Sequence, residues 1–532
     1  MKSVTTAPGL YFTGAPPVVK PSPLRSDVAG FIGRTRRGPV GELIRVEGMR
    51  AYLRVFGGLA ADAVMTYAIR GYFENEGEVA HVIRLSHPSA MCASIDWKVG
   101  ELDSEGRWTA DSPQSFERAS YRIEASSPGA WANNTIVKIQ YRLRGSSGSP
   151  VVDLAVIAPD EPSEHFTGLS PATIVEEVAA RSQLIRLSPQ GEAGSSCLRI
   201  PGPHAISWEF TLVEGRDSTS GQTTSIQDYL AAIQKVSDEN EVALVAAPGL
   251  YDDITDGAEQ TEILLAMIEQ AGQLRDRLVL VDVPTDEEDT ENKGLPIKEV
   301  SKTLQWVEQL RTATDDRSIR AAAVYHPRLS VPDPLGGIRR PLRNVPPSGH
   351  VAGVISRLDR QRGAHHTPAN SPVFEAVDIT QRFEPSEQGR FNAAGINLLR
   401  CFAGDWLQVW GGRTLSFDHR FIAHRRLIHR LVRAIRRVAE PLVFDTNGPE
   451  LWLTLARSIT TVLVEAWRAG ALKGERPEEA FRVRCDETLN TPEEVGLGRL
   501  NCEIEVAPAT PMEFILLRIA LSGEGRLEVF ES

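Results

Sequence analysis

Residues 241–284 read EVALVAAPGLYDDITDGAEQTEILLAMIEQAGQLRDRLVLVDVP, and the order of apolar runs in them sets the fold class. Val242–Ala247 is a short, wholly apolar run closed by Pro248, the pattern of a strand buried on both faces. Glu259–Leu274 reads as a helix and Leu278–Val283 as a second strand. Further along, Ile297–Thr312 is a second helix and Ile319–Tyr325 a third strand. This alternation predicts a parallel βαβαβ sheet with right-handed crossovers. The loop from Asp286 to Glu291 carries five acids in six residues and is expected in solvent.

On the N-terminal side the pattern changes. Between about residues 91 and 225 it has period two, clearest where Val137, Ile139, Tyr141 and Leu143 alternate with Lys138, Gln140, Arg142 and Arg144. A turn at Gly145-Ser146-Ser147-Gly148 leads to a partner at Val151–Ile157, so a β-rich module with one solvated face is expected. Before it, an apolar run over Asp27–Gly33 meets a basic turn at Arg34, Arg36 and Arg37. Two helical patterns follow, through Tyr52, Leu53 and Phe56 and through Val64, Tyr67, Ala68 and Tyr72, then a strand at Val79–Leu85. The first residues hold Pro8, Pro16, Pro17, Pro21 and Pro23, which favours an extended arm.

On the C-terminal side, Pro346-Pro347-Ser348-Gly349 opens a last domain with helices near 420–440 and 450–470. In the second of these Leu451, Trp452, Leu455, Ile459, Val462, Leu463, Ala466 and Trp467 form a core stripe. Phe514–Leu521 and Leu527–Phe530, split by Gly523-Glu524-Gly525, read as extended chain. The expected class is a multidomain α/β and α+β protein. Its segments are an N-terminal arm (1–25), the N-terminal part of a core (26–90), a β-rich variable insertion (91–225), a βαβαβ domain (226–345), an α/β C-terminal core domain (346–510) and a C-terminal strand or arm (511–532).

At 532 residues the chain holds three or four domains of about 150 residues. Its 42% hydrophobic and 24% charged residues are those of a folded globular protein, and a net charge of −12 argues against a nucleic-acid coat. Five widely spaced cysteines without a CxxC pair (Cys92, Cys197, Cys401, Cys485, Cys502) indicate neither a zinc site nor a disulfide framework, and read as buried thiols of a reducing cytoplasm. Met1–Pro23 has no apolar stretch flanked by basic residues and no 18-residue apolar run occurs, so neither a signal peptide nor a transmembrane helix is expected.

Catalytic motifs are incomplete. Gly33-Arg34-Thr35-Arg36-Arg37-Gly38-Pro39 lacks the lysine of a phosphate loop, and Gly496-Leu497-Gly498 lacks the third glycine of a dinucleotide fingerprint. Gly145–Ser149 fails the spacing of a nucleophile elbow. His365-His366 sits in a glycine- and proline-rich loop, and His419, His424 and His429 rotate around a helix, so no metal-ligand set is expected. An enzyme built on the α/β segment would use the C-terminal strand ends, which offer Tyr251, Asp252, Asp253 and Asp282.

One feature inverts the acidic average. Between Arg413 and Arg437 there are eight arginines and a single acid, Asp418. On a helix, Arg426, Arg430, Arg433 and Arg437 share one stripe opposite Leu427, Ile428, Leu431, Val432, Ile435 and Val438. The reading is a helix that packs one face and presents guanidiniums on the other, either as a solvated face or toward an acidic partner.

Several stretches together resemble the tail sheath proteins of contractile phages and of phage-like contractile injection systems. They are Thr6-Ala7-Pro8-Gly9-Leu10-Tyr11-Phe12; Asp27–Gly33 with Arg37-Gly38-Pro39 and Phe56-Gly57-Gly58; and Asp238, Val242–Pro248 and Tyr325-His326-Pro327. The matches are densest later: Val345–Gly349 with Val351-Ala352-Gly353, Arg357-Leu358-Asp359, Pro368-Ala369-Asn370, Gly395-Ile396-Asn397 and Val409–Thr414. Phe444, Asn447, Trp452, Gly470-Ala471-Leu472, Phe481 and Pro511–Phe514 complete them. The stretch 91–225 lies outside the resemblance and is assigned by position to an outward-facing insertion.

The resemblance implies a structural subunit, without cofactor or enzymatic activity. It would polymerise helically with itself in stacked hexameric rings around an inner tube, and contract from a metastable extended state to drive that tube through a target membrane. Partners would be the tube protein and the baseplate and terminator or cap proteins, with no direct nucleic acid and no membrane insertion by this chain. Assembly would take place in the bacterial cytoplasm, as part of a phage tail or a released tail-like particle. It further implies that both arms add strands to neighbouring subunits. Val4, Leu10 and Phe12 on one arm and Leu517, Ile519, Leu527 and Val529 on the other are the candidate contacts, and Arg426, Arg430, Arg433 and Arg437 the candidate tube-facing stripe. The competing readings are an α/β enzyme and another structural tail or baseplate component.

Overall fold

A computed structural model of the chain describes residues 25–98, 120–144, 149–170, 172–190, 206–218, 224–284, 299–339, 341–402, 406–418, 421–443 and 445–509, with strands at 101–102, 108–109, 515–521 and 527–531. The turn at Gly145–Gly148, the loop Asp286–Glu291, His419 and Phe444 lie outside the described residues. Residues 26–429 form one compact unit and residues 430–532 belong to a second.

The first unit is organised by an eight-stranded sheet. Its strands are β1 (Ala29–Arg34), β2 (Leu43–Glu47), β3 (Val79–Leu85), β4 (Leu244–Ala246), β5 (Leu278–Asp282), β6 (Ala322–His326), β7 (Ile396–Phe402) and β8 (Trp406–Trp410), in the order β2-β3-β1-β4-β5-β6-β7-β8. The six central strands run parallel, and β2 and β8 close the edges antiparallel. The expected βαβαβ unit is present as β4, β5 and β6, but it is not a sheet of its own: β1 pairs with β4 on one side and β7 with β6 on the other. Strands from segments that the sequence separates at 90 and 345 therefore share one ladder. The expected strand Ile319–Tyr325 starts later, because Ile319–Ala321 is a 3-10 turn. It is held by the Asp315 carboxylate, which accepts from the backbone N–H groups of Arg317 and Ser318 at 2.9 and 3.0 Å.

Period two divides the buried strands between two cores. Leu278 and Leu280 of β5, Leu244 and Ala246 of β4, and Ala323 and Tyr325 of β6 face one core. Val279 and Val281, Val245, and Ala322 and Val324 face the other. Helices α1 (Met65–Glu74) and, later in the chain, α5 (Ser348–Arg362) cover the first core with Tyr67, Ile69, Tyr72, Val351, Val354 and Ile355. Helices α2 (Ile226–Asp238), α3 (Gly257–Leu274) and α4 (Val300–Ala313) cover the second with Tyr229, Val236, Ile263, Met267 and Val307. A three-layer sandwich results, since a parallel sheet needs apolar cover on both sides.

Helices α1 and α5 meet at glycines. A Cβ on Gly349 would lie 2.3 Å from the Ala68 carbonyl oxygen and one on Gly353 2.4 Å from that of Tyr72. In the β-rich insertion between β3 and β4, strands 101–102 and 108–109 form a two-stranded ladder beside two larger antiparallel sheets, of strands 136–144, 149–157, 164–169 and 206–211 and of strands 94–98, 120–125 and 185–190. The larger sheets share a separate core built around Trp97, Tyr121, Ile123, Val137, Ile139 and Tyr141.

Candidate assembly interface

The C-terminal ends of the parallel strands are where an α/β enzyme would place its chemistry. Here the carboxylates at these ends are tied to neighbouring side chains. Arg34 at the end of β1 donates from Nε to Asp253 at 2.6 Å, and the Tyr229 hydroxyl donates to the other oxygen of that carboxylate at 3.0 Å. Asp282, at the end of β5, accepts from the Ser348 backbone N–H at 2.9 Å and from its hydroxyl at 2.6 Å, so its carboxylate sits at the first turn of α5. Arg328 lies 3.6 Å from Asp252. Of the four groups that the sequence offers at this edge, Asp252, Asp253 and Asp282 thus act as internal ties, whereas the buried Tyr251 hydroxyl has no hydrogen-bond partner among the described residues; Arg34, Tyr229 and Ser348 are partners that the sequence pattern did not assign to them.

Burial pushes the Asp253 carboxyl up to about 6 against the pull of Arg34, and the Asp282 carboxyl up to about 7 against the Ser348 hydrogen bonds and the charge of Arg328. A carboxyl raised on folding contributes stability that is complete below its unfolded value and is lost as pH rises through the folded one. Asp282→Asn keeps acceptor and donor capacity without the charge. The variant is expected to melt progressively higher than the wild-type chain as pH is raised from 5 to 8; equal melting curves at pH 8 would refute the assignment.

The motif residues Gly395-Ile396-Asn397 and Gly411-Gly412-Arg413 prove to be one structural pin. Asn397 is fully buried; its amide donates to the carbonyls of Val324 and Arg413 at 3.0 and 2.7 Å and accepts from the Arg413 N–H at 2.7 Å. A Cβ on Gly411 would come within 2.7 Å of the Asn397 side-chain oxygen, which explains the glycine.

The arginine-rich helix α6 (Ile422–Ala439) differs from its sequence reading. Leu427, Ile428, Leu431, Val432 and Ile435 are buried as expected, and Val438 is half-buried. However, Arg426 and Arg433 are also buried, 4% and 2% exposed, so the stripe is not presented to solvent as a row. Arg426 pairs with Asp359 and donates to the Ser26 carbonyl, while Arg433 donates to the Arg25 carbonyl. Buried guanidiniums need such partners, and the sequence gives no sign that an acid 67 positions away supplies one. Arg430 and Arg437 are half-exposed.

In the second unit, helix α7 (Pro449–Arg468) buries Leu451, Trp452, Leu455, Ile459 and Leu463, while Val462, Ala466 and Trp467 are half-buried. An antiparallel sheet follows, of β9 (Phe481–Arg484), β10 (Leu500–Val506), β11 (Ile515–Leu521) and β12 (Leu527–Glu531) in that order. The backbone of Leu517 stands opposite Ile504, Ile519 opposite Cys502 and Val529, and Leu521 opposite Leu527. The C-terminal extended stretch is therefore paired within its own chain, with β12 at one edge. The other edge, β9, carries the ion pairs of Arg482 with Glu505 and Arg484 with Glu503, which suits a solvated edge. Val4, Leu10 and Phe12 lie outside the described residues, as do the side chains of Leu517, Ile519, Leu527 and Val529. Among the described residues no group of three or more metal-ligating side chains occurs, and no helix is long and apolar enough to cross a membrane.

Comparison with known proteins agrees with the architecture. Residues 222–415, from the start of α2 to the end of the eight-stranded sheet, match the central domain of phage tail sheath protein. The tail sheath protein of Enterobacteria phage T4 is 23% identical over 339 residues, 61% of this chain and 48% of that protein, so the chain spans about half the length of this relative. Among solved structures, a sheath tail protein of Listeria innocua superimposes with a TM-score of 0.63 at 14% identity over 94% of this chain and 96% of that one. The helical sheath of the anti-feeding prophage in its contracted state does so with a TM-score of 0.54 at 19% identity, over 96% and 98%. Residues 222–415 thus match the sheath central domain, and over nearly its whole length the chain has the fold of solved contractile tail sheath proteins.

Proposed function

We propose that this chain is the structural subunit of a contractile tail sheath, which polymerises helically with copies of itself around an inner tube and contracts from a metastable extended state to drive the tube through a membrane. The observation that carries this reading is the likeness over 96% of the chain to a sheath solved as a contracted helix. Its partners are further copies of itself in stacked hexameric rings, the tube protein, and baseplate and cap proteins. It binds no nucleic acid directly and inserts in no membrane; it assembles in the bacterial cytoplasm as part of a phage tail or a released particle. The role is mechanical and not enzymatic, and the internal pairing of Asp253 and Asp282 supports this.

Residues 1–25 act as an arm that adds a strand to another subunit, and the edge of β12 is the acceptor, since an edge strand offers unpaired backbone groups. Leu517, Ile519, Leu527 and Val529 belong to the receiving sheet, and the insertion at 91–225 faces outward. Of the basic stripe, Arg430 and Arg437 remain the candidates for contact with an acidic tube.

Electron microscopy of the chain co-expressed with its tube protein tests the reading. Hollow striated cylinders are expected, and they should be lost when residues 1–20 are deleted; uniform globular particles under all conditions would overturn it. In the same assay Arg430→Glu with Arg437→Glu is expected to weaken assembly on the tube and change its salt sensitivity. Unchanged behaviour removes the tube-contact role.

A further inference from the structure

The β9–β10 ladder pairs Val483 with Ile504 and Arg484 with Glu503, so the next pair in register is Cys485 and Cys502. Directly opposite residues of an antiparallel pair have Cα atoms about 4.5–5.5 Å apart, inside the ~4.4–6.8 Å that a disulfide spans. Both thiols are free in this structure, and the Cys485 thiol donates to the carbonyl of Asn501, the residue before Cys502, at 3.6 Å. Cys502 is 1% exposed, whereas Cys485 is half-buried just past the end of β9. Asn490, 2% exposed, holds the segment between them: its amide donates to the Asn501 carbonyl at 2.9 Å and to the Cys485 sulfur at 4.0 Å, and Asn501 N–H donates back to its oxygen at 2.6 Å.

We propose that Cys485 and Cys502 are a thiol pair that closes to an intrachain disulfide in an oxidising medium, stapling edge strand β9 to β10. The neighbouring Cys502 thiol holds the Cys485 thiol below its ordinary value, and Cys485 is the more exposed of the two, which makes Cys485 the attacking sulfur. Its thiolate attacks one sulfur of a small-molecule disulfide and expels one thiolate. Cys502 then gives its proton to solvent and attacks the Cys485 sulfur of the mixed disulfide, expelling the second. Two protein thiols and one external disulfide yield one protein disulfide and two external thiols. The bond would form wherever the medium is oxidising and harden one edge of the sheet whose opposite edge is β12. The proposal goes beyond the sheath reading and does not depend on it.

The test uses the full chain incubated with oxidised glutathione, then alkylated under denaturing conditions and mapped by mass spectrometry. The expected result is a linked peptide pair containing Cys485 and Cys502, reversible by dithiothreitol, with a melting temperature several degrees above the reduced chain and no such rise in Cys502→Ser. Recovery of both residues in alkylated form overturns the proposal. So does glutathione retained on Cys485, or a link from either residue to another copy of the chain.

Discussion

Gly353→Val is expected to abolish recovery of soluble folded protein, and Gly353→Ala to lower stability measurably. In an exposed helix, replacing glycine by alanine gains up to about 1 kcal/mol. At Gly353 the sign reverses, because the new Cβ would stand 2.4 Å from the Tyr72 carbonyl oxygen and 2.7 Å from the Asn75 Cβ. Neither contact is the far end of a flexible side chain. To relieve them, α5 must lift from α1, and both helices cover the same core through Tyr72, Val351 and Ile355. Overpacking against yielding neighbours costs about 1–3 kcal/mol; against backbone the valine variant is expected beyond that range. Gly389, on the helix Pro385–Ala393, is the internal control: nothing lies within 4 Å of its Cβ position, so Gly389→Ala should leave the melting temperature unchanged or raise it. Soluble yield of Gly353→Val and thermal melts of the two alanine variants decide the matter. A Gly353→Ala chain as stable as Gly389→Ala would refute the close approach of the two helices.

Arg277→Ala is expected to cost about 3–5 kcal/mol, the loss seen when one partner of a buried charged set is removed. Arg277 is fully buried at the start of the run into β5. Its guanidinium donates to Asp276 at 2.9 Å and to the carbonyls of Val236 and Glu239 at 2.6 and 3.2 Å, and so caps the C-terminus of α2 with a positive charge. Truncation would remove that charge from a buried carboxylate and two helix-end carbonyls at once. Arg277→Lys is expected to recover only part of the loss, because an ammonium cannot fork between partners. Chemical denaturation of both variants measures this, and an alanine variant within 1 kcal/mol of the parent would show that solvent reaches the site.

The strands of the central sheet were legible because burial on both faces leaves only apolar residues: Val242–Ala247 and Leu278–Val283 carry no polar alternative until Asp282. Alternation over Val137–Arg144 and the helical stripe from Leu451 were legible for the same reason, since a single buried face imprints its period on the sequence. The resemblance to tail sheath proteins was also readable, and several residues that carry it, such as Gly353, Asn397 and Gly411, sit where backbones approach closely or a side chain pins two strands.

Pairings between residues far apart in the chain were not legible. Nothing local says that β1 lies beside β4 across the whole β-rich insertion, that Arg426 meets Asp359, or that Cys485 stands opposite Cys502. A helical stripe shows which residues share a face, but only the neighbouring elements determine whether that face meets water, and here Asp359 and the chain at Arg25–Ser26 take up Arg426 and Arg433. The sequence by itself determined most elements, their order and the resemblance to tail sheath proteins, because periodicity and steric necessity act over a few residues. The tertiary structure alone decided which charges are internal and which cysteines are partners, because those depend on register and on contacts that the chain makes only once it has closed on itself.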